Sequence, residues 1–361
     1  PALCAFLYSE IKALISISRI LMDEEHTTFL HHYAEKLRQA VEQSWHKDHA
    51  CYQYWDRDTH LSHPGELLGE RQGPGEIYLK QDFDDPVRLV ISIIGTGKRS
   101  RQTNILIHGI NAKGQQRVER IAQEQFHWQF EVSSATSQQV YSQLDYIDIT
   151  DIDTTEIVQI QTVNYQHPDI TLLLPLWAKI PDQDQAALLV DKTICNPNKF
   201  WQPYGLPFCP PNDNQTSNSS LAKVSILWNN LIGEGLVNYG FQKESANLIN
   251  HLMKAVIHNL KKQKCFMSRH YAQTCQGAGD RHAIQCLAPL SLFLKTLGVR
   301  PLSASKVAVY GDNPFPWPVT IRYRGLTIIK GANETKVTFP GGQTTVIKDS
   351  KHQLITVDES K

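Results

Sequence analysis

The chain has 361 residues, which is enough for two or three domains with sizeable hydrophobic cores. Its 36 lysine and arginine residues match 36 aspartate and glutamate residues, so no excess positive charge favours a nucleic acid or an anionic membrane as partner. Seven cysteines are scattered along the chain without a CxxC pair. This pattern indicates reduced thiols in a cytoplasmic protein and gives no reason to expect a metal site.

The opening of the chain predicts an αα-hairpin. Apolar residues dominate the first helical stretch, but Glu10, Lys12 and Arg19 interrupt it, which argues against a signal peptide or a membrane-spanning helix. Asp23 can cap a second helix that continues to about Trp45, because apolar residues repeat there at intervals of three and four. A chain that opens in this way is typical of the later part of a longer protein.

Aromatic and acidic residues crowd together directly after this hairpin. Trp55 lies beside Asp56, Asp58 and His60. Aromatic rings can stack on the apolar face of a sugar, while carboxylates accept hydrogen bonds from its hydroxyl groups. The same composition also suits an ordinary domain junction, and the sequence leaves both interpretations open.

From residue 73 to about residue 170, the apolar period changes to two. Short runs rich in β-branched and aromatic residues alternate with turns that contain Gly, Asn, Asp and Pro. This spacing is typical of a β-sandwich, which we expect to be inserted between helical segments. Packing, oligomer support and carbohydrate binding are all compatible with such a domain.

Helical patterns return after residue 170. Asp182 can cap one helix, while Pro289 and Gly298 mark the start and the end of another. Residues 301–361 contain short β-type runs with glycine-containing turns, which predict a small C-terminal β cap.

Residues 223–241 predict the helix around which the other helices are organised, since apolar residues cover most of its surface. A second helix is expected to follow at 242–263. Asn229 lies in a polar row of the first helix, where it either faces a cavity or caps a neighbouring segment. Glu234 points about 140° away from Asn229, so we expect it to be solvated or paired with another polar group.

Four phrases of this sequence occur in similar form in one group of glycoside hydrolases. They are LLPLWAKIP at 173–181, NPNKFWQPYGLP at 196–207, ILWNNLIGEGLVNYGF at 226–241 and CFMSRHYAQTCQGAG at 265–279. The third is similar to the group's W-x-x-x-N-Y-L-I-x-x-G-L-x-x-Y-G helix, and the fourth to its phrase F-x-E-x-Y-x-x-x-T-G-x-G. The chain thus resembles the group that contains mannosylglycerate hydrolase and processing α-glucosidase.

The resemblance covers roughly residues 1–50 and 171–300. It implies a six-hairpin α/α toroid in which two carboxylates cleave a glycosidic bond, and it implies that the general acid lies upstream of this chain. The group's general base falls on or beside Arg269, and arginine cannot accept a proton at neutral pH. The expected base is therefore absent. His270, next in sequence, is expected to be a surface or core residue and not a metal ligand.

Asp280 is the nearest carboxylate that could replace the base. Gly277 and Gly279 precede it, and glycines would let the backbone approach a ligand. Inverting hydrolysis requires one protonated and one ionised carboxyl group about 6.5–9.5 Å apart. Asp56 and Asp58 are further candidates for such a role.

The predicted fold is mainly α with β insertions: a partial six-hairpin α/α toroid, an inserted β-sandwich and a small C-terminal β cap. The predicted domains are a toroid hairpin at 1–50, the β-sandwich at 51–170, toroid helices with a pocket at 171–300, and β-strands at 301–361.

The predicted function is glycoside-hydrolase-like action on an α-linked saccharide, or binding of one, by an inverting mechanism if the protein is active. A non-catalytic carbohydrate-binding or structural relative without the base is the alternative. No cofactor is expected. Asp280 is the predicted catalytic residue, and the predicted saccharide-binding residues are Trp55, Asp56, Trp201, Tyr204, Trp228, Asn229, Arg269 and Tyr271.

Overall fold

A computed structural model describes residues 1–47, 49–53, 64–95, 103–129, 132–164, 168–211 and 222–357. The chain divides into two compact units. The first unit contains Pro1–Gln53 and Pro168–Lys361, and the second contains Tyr54–His167.

The α-helices of the described residues all lie in the first unit. They are α1 (Ala2–Ile20), α2 (Glu24–Glu42), α3 (Leu174–Trp177), α4 (Gln183–Leu189), α5 (Ile226–Asn238), α6 (Gln242–Gln263) and α7 (Leu290–Leu297). Asp23 caps α2 by accepting a hydrogen bond from the His26 backbone N–H, and Asp182 caps α4 in the same way. Gly298 ends α7 with a left-handed φ of +68°. The predicted caps at Asp23 and Asp182 and the predicted stop at Gly298 are confirmed.

The second unit contains two antiparallel sheets. The four-stranded sheet has the order β4-β10-β6-β7 and the five-stranded sheet the order β3-β11-β5-β9-β8. Their strands are β3 (Pro64–Gln72), β4 (Gly75–Val87), β5 (Leu89–Ile94), β6 (Asn104–Asn111), β7 (Gln116–Ala122), β8 (His127–Gln129), β9 (Val132–Thr136), β10 (Tyr141–Thr150) and β11 (Ile157–Val163). Ile107 of one sheet and Ile91 of the other belong to the same buried cluster, so the two sheets share one hydrophobic core.

The first unit contains the remaining strands. They are β1 (Trp45–His46), β2 (Cys51–Tyr52), β12 (Lys223–Ser225), β13 (Met267–Tyr271), β14 (Gly277–Arg281), β15 (Val299–Ser303), β16 (Lys306–Val309), β17 (Val319–Tyr323), β18 (Leu326–Lys330), β19 (Thr335–Thr338), β20 (Thr344–Ile347) and β21 (Gln353–Thr356). Apolar residues of β15–β19 share a core with α6 and α7, so the C-terminal strands pack on these helices.

A buried lysine links the C-terminal strands to α7. The Lys330 ammonium donates hydrogen bonds to the carbonyl oxygens of Leu297 and Tyr310, each at 2.7 Å. Leu297 is the last residue of α7, and a cation at this position interacts favourably with the negative end of the helix dipole. Burial lowers the pKa of Lys330 to about 8, and the nearby Asp312 carboxylate partly offsets this effect.

The prediction of one helix over 223–241 was wrong at its start. Lys223–Ser225 form β12, which pairs with β13 through Val224 and His270, and α5 begins only at Ile226. The helical spacing of Val224 was a coincidence, because its backbone is used in a sheet whose partner strand lies more than 40 residues later. Met267–Tyr271 and Gly277–Arg281, for which no strand was predicted, also form strands.

Glycines allow α5 to approach its neighbours closely. A Cβ atom on Gly235 would lie 2.9 Å from the backbone nitrogen of Trp177 and 3.1 Å from the carbonyl carbon of Leu176 in α3. A Cβ atom on Gly233 would overlap the Leu292 side chain of α7. Backbone atoms cannot move aside as the end of a side chain can, so the contact at Gly235 is the more demanding one.

Within the described residues, no helix combines the length and the apolar character that crossing a membrane requires.

We expect Gly235→Ala to lower the free energy of unfolding by about 1–3 kcal/mol, because the methyl group meets the backbone of α3. This loss opposes the gain of about 1 kcal/mol that alanine brings to a helix in place of glycine. Gly341→Ala is the control, since no heavy atom lies within 4 Å of its Cβ position. Denaturant unfolding measures both variants, and equal stability of the two would contradict the proposed close contact.

Candidate functional site

A small antiparallel sheet of β12, β13 and β14 carries several of the residues that the sequence analysis selected. Side chains alternate along β13, as they do in any strand. Ser268 and His270 are buried beneath the sheet, whereas Arg269 is exposed and Tyr271 is half-buried. The sheet therefore brings Arg269 and Tyr271 together on its outer side.

Two cations lie against two aromatic rings at this outer side. The Arg269 guanidinium carbon is 5.3 Å from the centre of the Phe208 ring, and the Lys223 ammonium is 5.4 Å from the centre of the Tyr271 ring. Phe208 is held beside β12 because its N–H donates to the Lys223 carbonyl oxygen at 2.9 Å. We call these four residues the cation–aromatic face. The ion pairs found among the described residues involve neither Arg269 nor Lys223.

Asp280 is an exposed residue of β14, the strand next to β13. Its carboxylate accepts a hydrogen bond from the Gln285 side chain at 2.9 Å, and its backbone N–H donates to the Ser268 hydroxyl at 2.9 Å. The structure thus places Asp280 in the same sheet as Arg269, with its carboxylate open to solvent.

The two glycines before Asp280 lie in close contact with side chains of other strands and helices. A Cβ atom on Gly277 would lie 2.7 Å from Oδ1 of Asn259, and a Cβ atom on Gly279 would lie 2.5 Å from the Ser268 hydroxyl. Gly279 also has a left-handed φ of +80°. These glycines let β14 approach side chains of its own protein.

Asn229 is completely buried in α5, and its amide is fully used by the backbone. Its Oδ1 accepts from the Leu206 N–H at 2.8 Å, and its Nδ2 donates to the carbonyl oxygens of Leu206 and Ser225 at 2.8 and 2.9 Å. Of the two interpretations that the sequence left open, these bonds correspond to the tie to a neighbouring segment. Asn229 therefore positions the loop that precedes Phe208.

Asn259 of α6 plays the same part for another loop, and the sequence analysis did not select it. Its Nδ2 donates to the Cys275 carbonyl oxygen at 2.9 Å, and its Oδ1 accepts from the Gly277 N–H at 2.8 Å. The sequence feature that could have identified Asn259 is an amide on the buried side of an amphipathic helix, since such a group needs polar partners. Phe208 and Lys223 were also missed, because their neighbours are distant in sequence.

Trp201 and Tyr204 lie in the loop that Asn229 holds. The Trp201 ring is half-buried against the His251 ring, with 5.4 Å between their centres. The adjacent Cys275 thiol raises the pKa of the Tyr204 phenol, to which it is also hydrogen-bonded. Tyr204 is tied to the sheet, because its N–H donates to the Ala272 carbonyl oxygen at 3.2 Å.

Trp228 is half-buried and packs against the helical core. Its ring is 6.1 Å from that of Phe6 in α1, and Phe6 in turn lies 5.3 Å from Trp177 of α3. These contacts make Trp228 part of the packing between α1, α3 and α5. Trp55, Asp56 and Asp58 fall outside the described residues.

Glu234 pairs with polar groups, which confirms that prediction. One carboxylate oxygen lies 3.4 Å from the Lys295 ammonium, and the other accepts from the Asn230 amide at 3.3 Å.

His270 lies beneath the sheet as a neutral side chain, so of the two predicted alternatives, a surface or a core residue, it is a core residue. Its Nε2–H donates to the Tyr204 carbonyl oxygen at 2.7 Å, which fixes the proton on this nitrogen because a carbonyl can only accept. Burial lowers the pKa of His270 to about 4, and the hydrogen bond to Tyr204 partly offsets the shift. In the described part of the chain, no three His, Cys, Asp or Glu side chains are grouped so that they could hold a metal ion.

No protein-family model matches this sequence, and a search of curated proteins returned no match. Among solved structures, GH63 mannosylglycerate hydrolase from Thermus thermophilus in complex with glucose is similar at 15% identity and a TM-score of 0.43. That similarity covers 80% of this chain and 46% of the hydrolase, so the chain spans less than half of the structure it matches.

Two further solved structures are similar. Neutral trehalase from Saccharomyces cerevisiae has 18% identity and a TM-score of 0.30 over 38% of this chain and 24% of the trehalase. A sialidase has 9% identity and a TM-score of 0.49 over 100% of this chain and 27% of the sialidase.

We expect Asn229→Ala to lower the free energy of unfolding by about 2–4 kcal/mol, because it leaves the N–H and C=O of Leu206 buried without partners. Asn230→Ala is the matched control, since this neighbour is half-buried and its amide donates to the Glu234 carboxylate. Its cost should stay below about 1 kcal/mol. Chemical denaturation compares the two, and a similar loss in both variants would show that the Leu206 bonds matter little.

The lowered pKa of His270 predicts that acid destabilises the protein. Between about pH 6.5 and pH 4, the unfolded chain binds a proton at His270 that the folded chain does not. The neutral, buried His270 therefore contributes its full share to the free energy of unfolding above about pH 6.5. The free energy of unfolding falls by about 3 kcal/mol as the pH is lowered to 4.

His270→Gln should flatten the dependence of stability on pH in this window, as measured by denaturant unfolding at a series of pH values. His258→Gln, which alters an exposed histidine of α6, should retain the full dependence. An unchanged slope in the His270 variant would assign the acid sensitivity to other groups.

Proposed function

We propose that this chain is a glycoside-hydrolase-like protein that binds an α-linked saccharide at the cation–aromatic face. The observation that carries the proposal is the pairing of Arg269 with Phe208 and of Lys223 with Tyr271 on one side of a sheet. Aromatic rings offer apolar area to a sugar ring, and cationic side chains donate hydrogen bonds to its hydroxyl oxygens. Under this proposal, Trp201 and Tyr204 extend the same binding region and Asn229 supports it from below.

The fold assignment that accompanies this proposal follows the sequence motifs. We assign the helices of the first unit to part of an α/α toroid and the two sheets of the second unit to the inserted β-sandwich. The seven cysteines carry free thiols, which agrees with the cytoplasmic location that we propose.

The chemistry of the cation–aromatic face favours binding over cleavage. The resemblance places the general base on or beside Arg269, and a guanidinium group is not suited to act as a proton acceptor. It can orient a substrate hydroxyl group or hold an oxygen atom, but it cannot remove a proton from water. Loss of a general base typically costs about 10²–10⁴ in rate.

Hydrolysis with Asp280 as the base is the second candidate function. The observation in its favour is that Asp280 is an exposed carboxylate on β14, the strand adjacent to Arg269 and Tyr271. A carboxylate in this sheet could accept a proton from water where the guanidinium of Arg269 cannot.

Calorimetry with α-glucosides and α-mannosides, together with hydrolysis assays on the same sugars, separates the two candidates. We expect measurable binding with little or no turnover. Arg269→Ala should weaken binding by about tenfold or more, because it removes charged donors from the face. Arg300→Ala, an exposed arginine of β15, is the control and should bind as the unaltered chain does.

Asp280→Asn decides the catalytic question. Turnover that disappears in this variant would make Asp280 the base and support the enzyme. Turnover that survives the change would place the base elsewhere. Absence of both binding and turnover would contradict saccharide recognition and favour a structural role for the chain.

A further inference from the structure

An apolar groove of about 560 Å³ lies in the first unit, between α6, the start of α7 and the segment around Trp317. Ile249, Met253 and Ile257 of α6 form one wall, and Pro289 and Phe293 belong to the opposite wall. From Ile249 to Ile257 this wall is about 12 Å long, which corresponds to two turns of a helix.

Several large apolar side chains are exposed at and beside the groove. Leu290 is 64% exposed, Trp317 is 48% exposed and Ile257 is 43% exposed. The segment that forms the second wall continues outward into Leu287, which is 59% exposed. Contiguous apolar surface of this kind is a mark of an interaction site.

The charged residue of the groove lining is a cation. Lys254 is exposed and belongs to the groove lining. No ion pair of Lys254 occurs among the described residues, so its charge is free to attract an anionic partner.

We infer that this groove binds an amphipathic helix of a partner protein whose polar side is acidic. A helix places side chains i, i+4 and i+7 along about 10.5 Å, which matches the two-turn wall of α6. Small-molecule sites usually enclose most of their ligand and add a few convergent polar groups. This groove is open and apolar, and its apolar surface continues past it to Leu287, as a larger partner requires. The inference does not depend on saccharide binding.

The test uses a fluorescent peptide of about 20 residues that is designed as an amphipathic helix, with leucines at i, i+4, i+7 and i+11 and glutamates on the other side. A sister peptide carries lysines in place of the glutamates. Fluorescence anisotropy with the full chain should show saturable binding of the acidic peptide and at least tenfold weaker binding of the basic one. The difference should shrink at high salt, because salt screens the attraction of exposed charges.

Matched variants locate the site. Leu290→Glu should weaken binding of the acidic peptide at least tenfold, and a glutamate is well tolerated there because Leu290 opens α7. Leu14→Glu, at an exposed leucine of α1 outside the groove, should leave binding unchanged. Lys254→Glu should weaken the acidic peptide and strengthen the basic one, whereas Lys12→Glu on α1 should affect neither.

Circular dichroism establishes that each variant is folded. Equal affinity for the two peptides, or binding that survives Leu290→Glu, would overturn the inference. Saturable binding of dodecanoate that is lost in Leu290→Glu, without binding of either peptide, would also overturn it and assign the groove to a small anionic amphiphile.

Discussion

Two buried asparagine amides hold the loops on which the candidate site depends. Asn229 of α5 satisfies both the N–H and the C=O of Leu206, and Asn259 of α6 satisfies the Cys275 carbonyl and the Gly277 N–H. An amide suits this task because it offers a donor and an acceptor within one rigid group. Without such partners, loop backbone groups would be buried unsatisfied, at a cost of about 1–3 kcal/mol each. The helices thereby determine where the two loops lie.

Further hydrogen bonds connect the loop before Phe208 to the sheet of β12, β13 and β14. His270 donates to the Tyr204 carbonyl oxygen, and the Tyr204 N–H donates to Ala272, so the loop before Phe208 is joined to β13 from both directions. The Gln273 amide also bonds to the Gln202 side chain at 2.5 Å. Because strand side chains alternate, a buried His270 places Arg269 and Tyr271 on the outside. The burial of His270 therefore determines that Arg269 and Tyr271 lie on the outer side of the sheet.

The character of this outer surface bears on the two interpretations of function. A hydrolase needs carboxylates that exchange protons with water and with the leaving group, whereas the residues that converge here are Arg269, Lys223 and two aromatic rings. A guanidinium group can hold a ligand oxygen, but it is not suited to accept a proton from water. Asp280 is the nearby acidic residue that sequence reasoning selected, and the structure leaves its carboxylate solvated and bonded to Gln285.

Local patterns in the sequence determined much of the secondary structure. Caps such as Asp23 and Asp182, and the stop at Gly298, act within one helical turn and could be read directly. The period of two likewise identified most strands of the second unit, since a strand that buries one side needs this alternation wherever it lies. The arginine that falls on or beside the position of the base implied by the resemblance was also visible in the sequence alone.

Only the tertiary structure decided how these pieces meet. Lys223–Ser225 became a strand because β13, more than 40 residues later, offers it backbone partners. Asn229 turned inward because Leu206, 23 residues earlier, supplies both a donor and an acceptor. Gly277 and Gly279 likewise pack closely against side chains of other segments. A periodic pattern indicates which side of a helix or strand is buried. It does not indicate which distant segment covers that side, and in this protein the covering segment determines what each polar residue does.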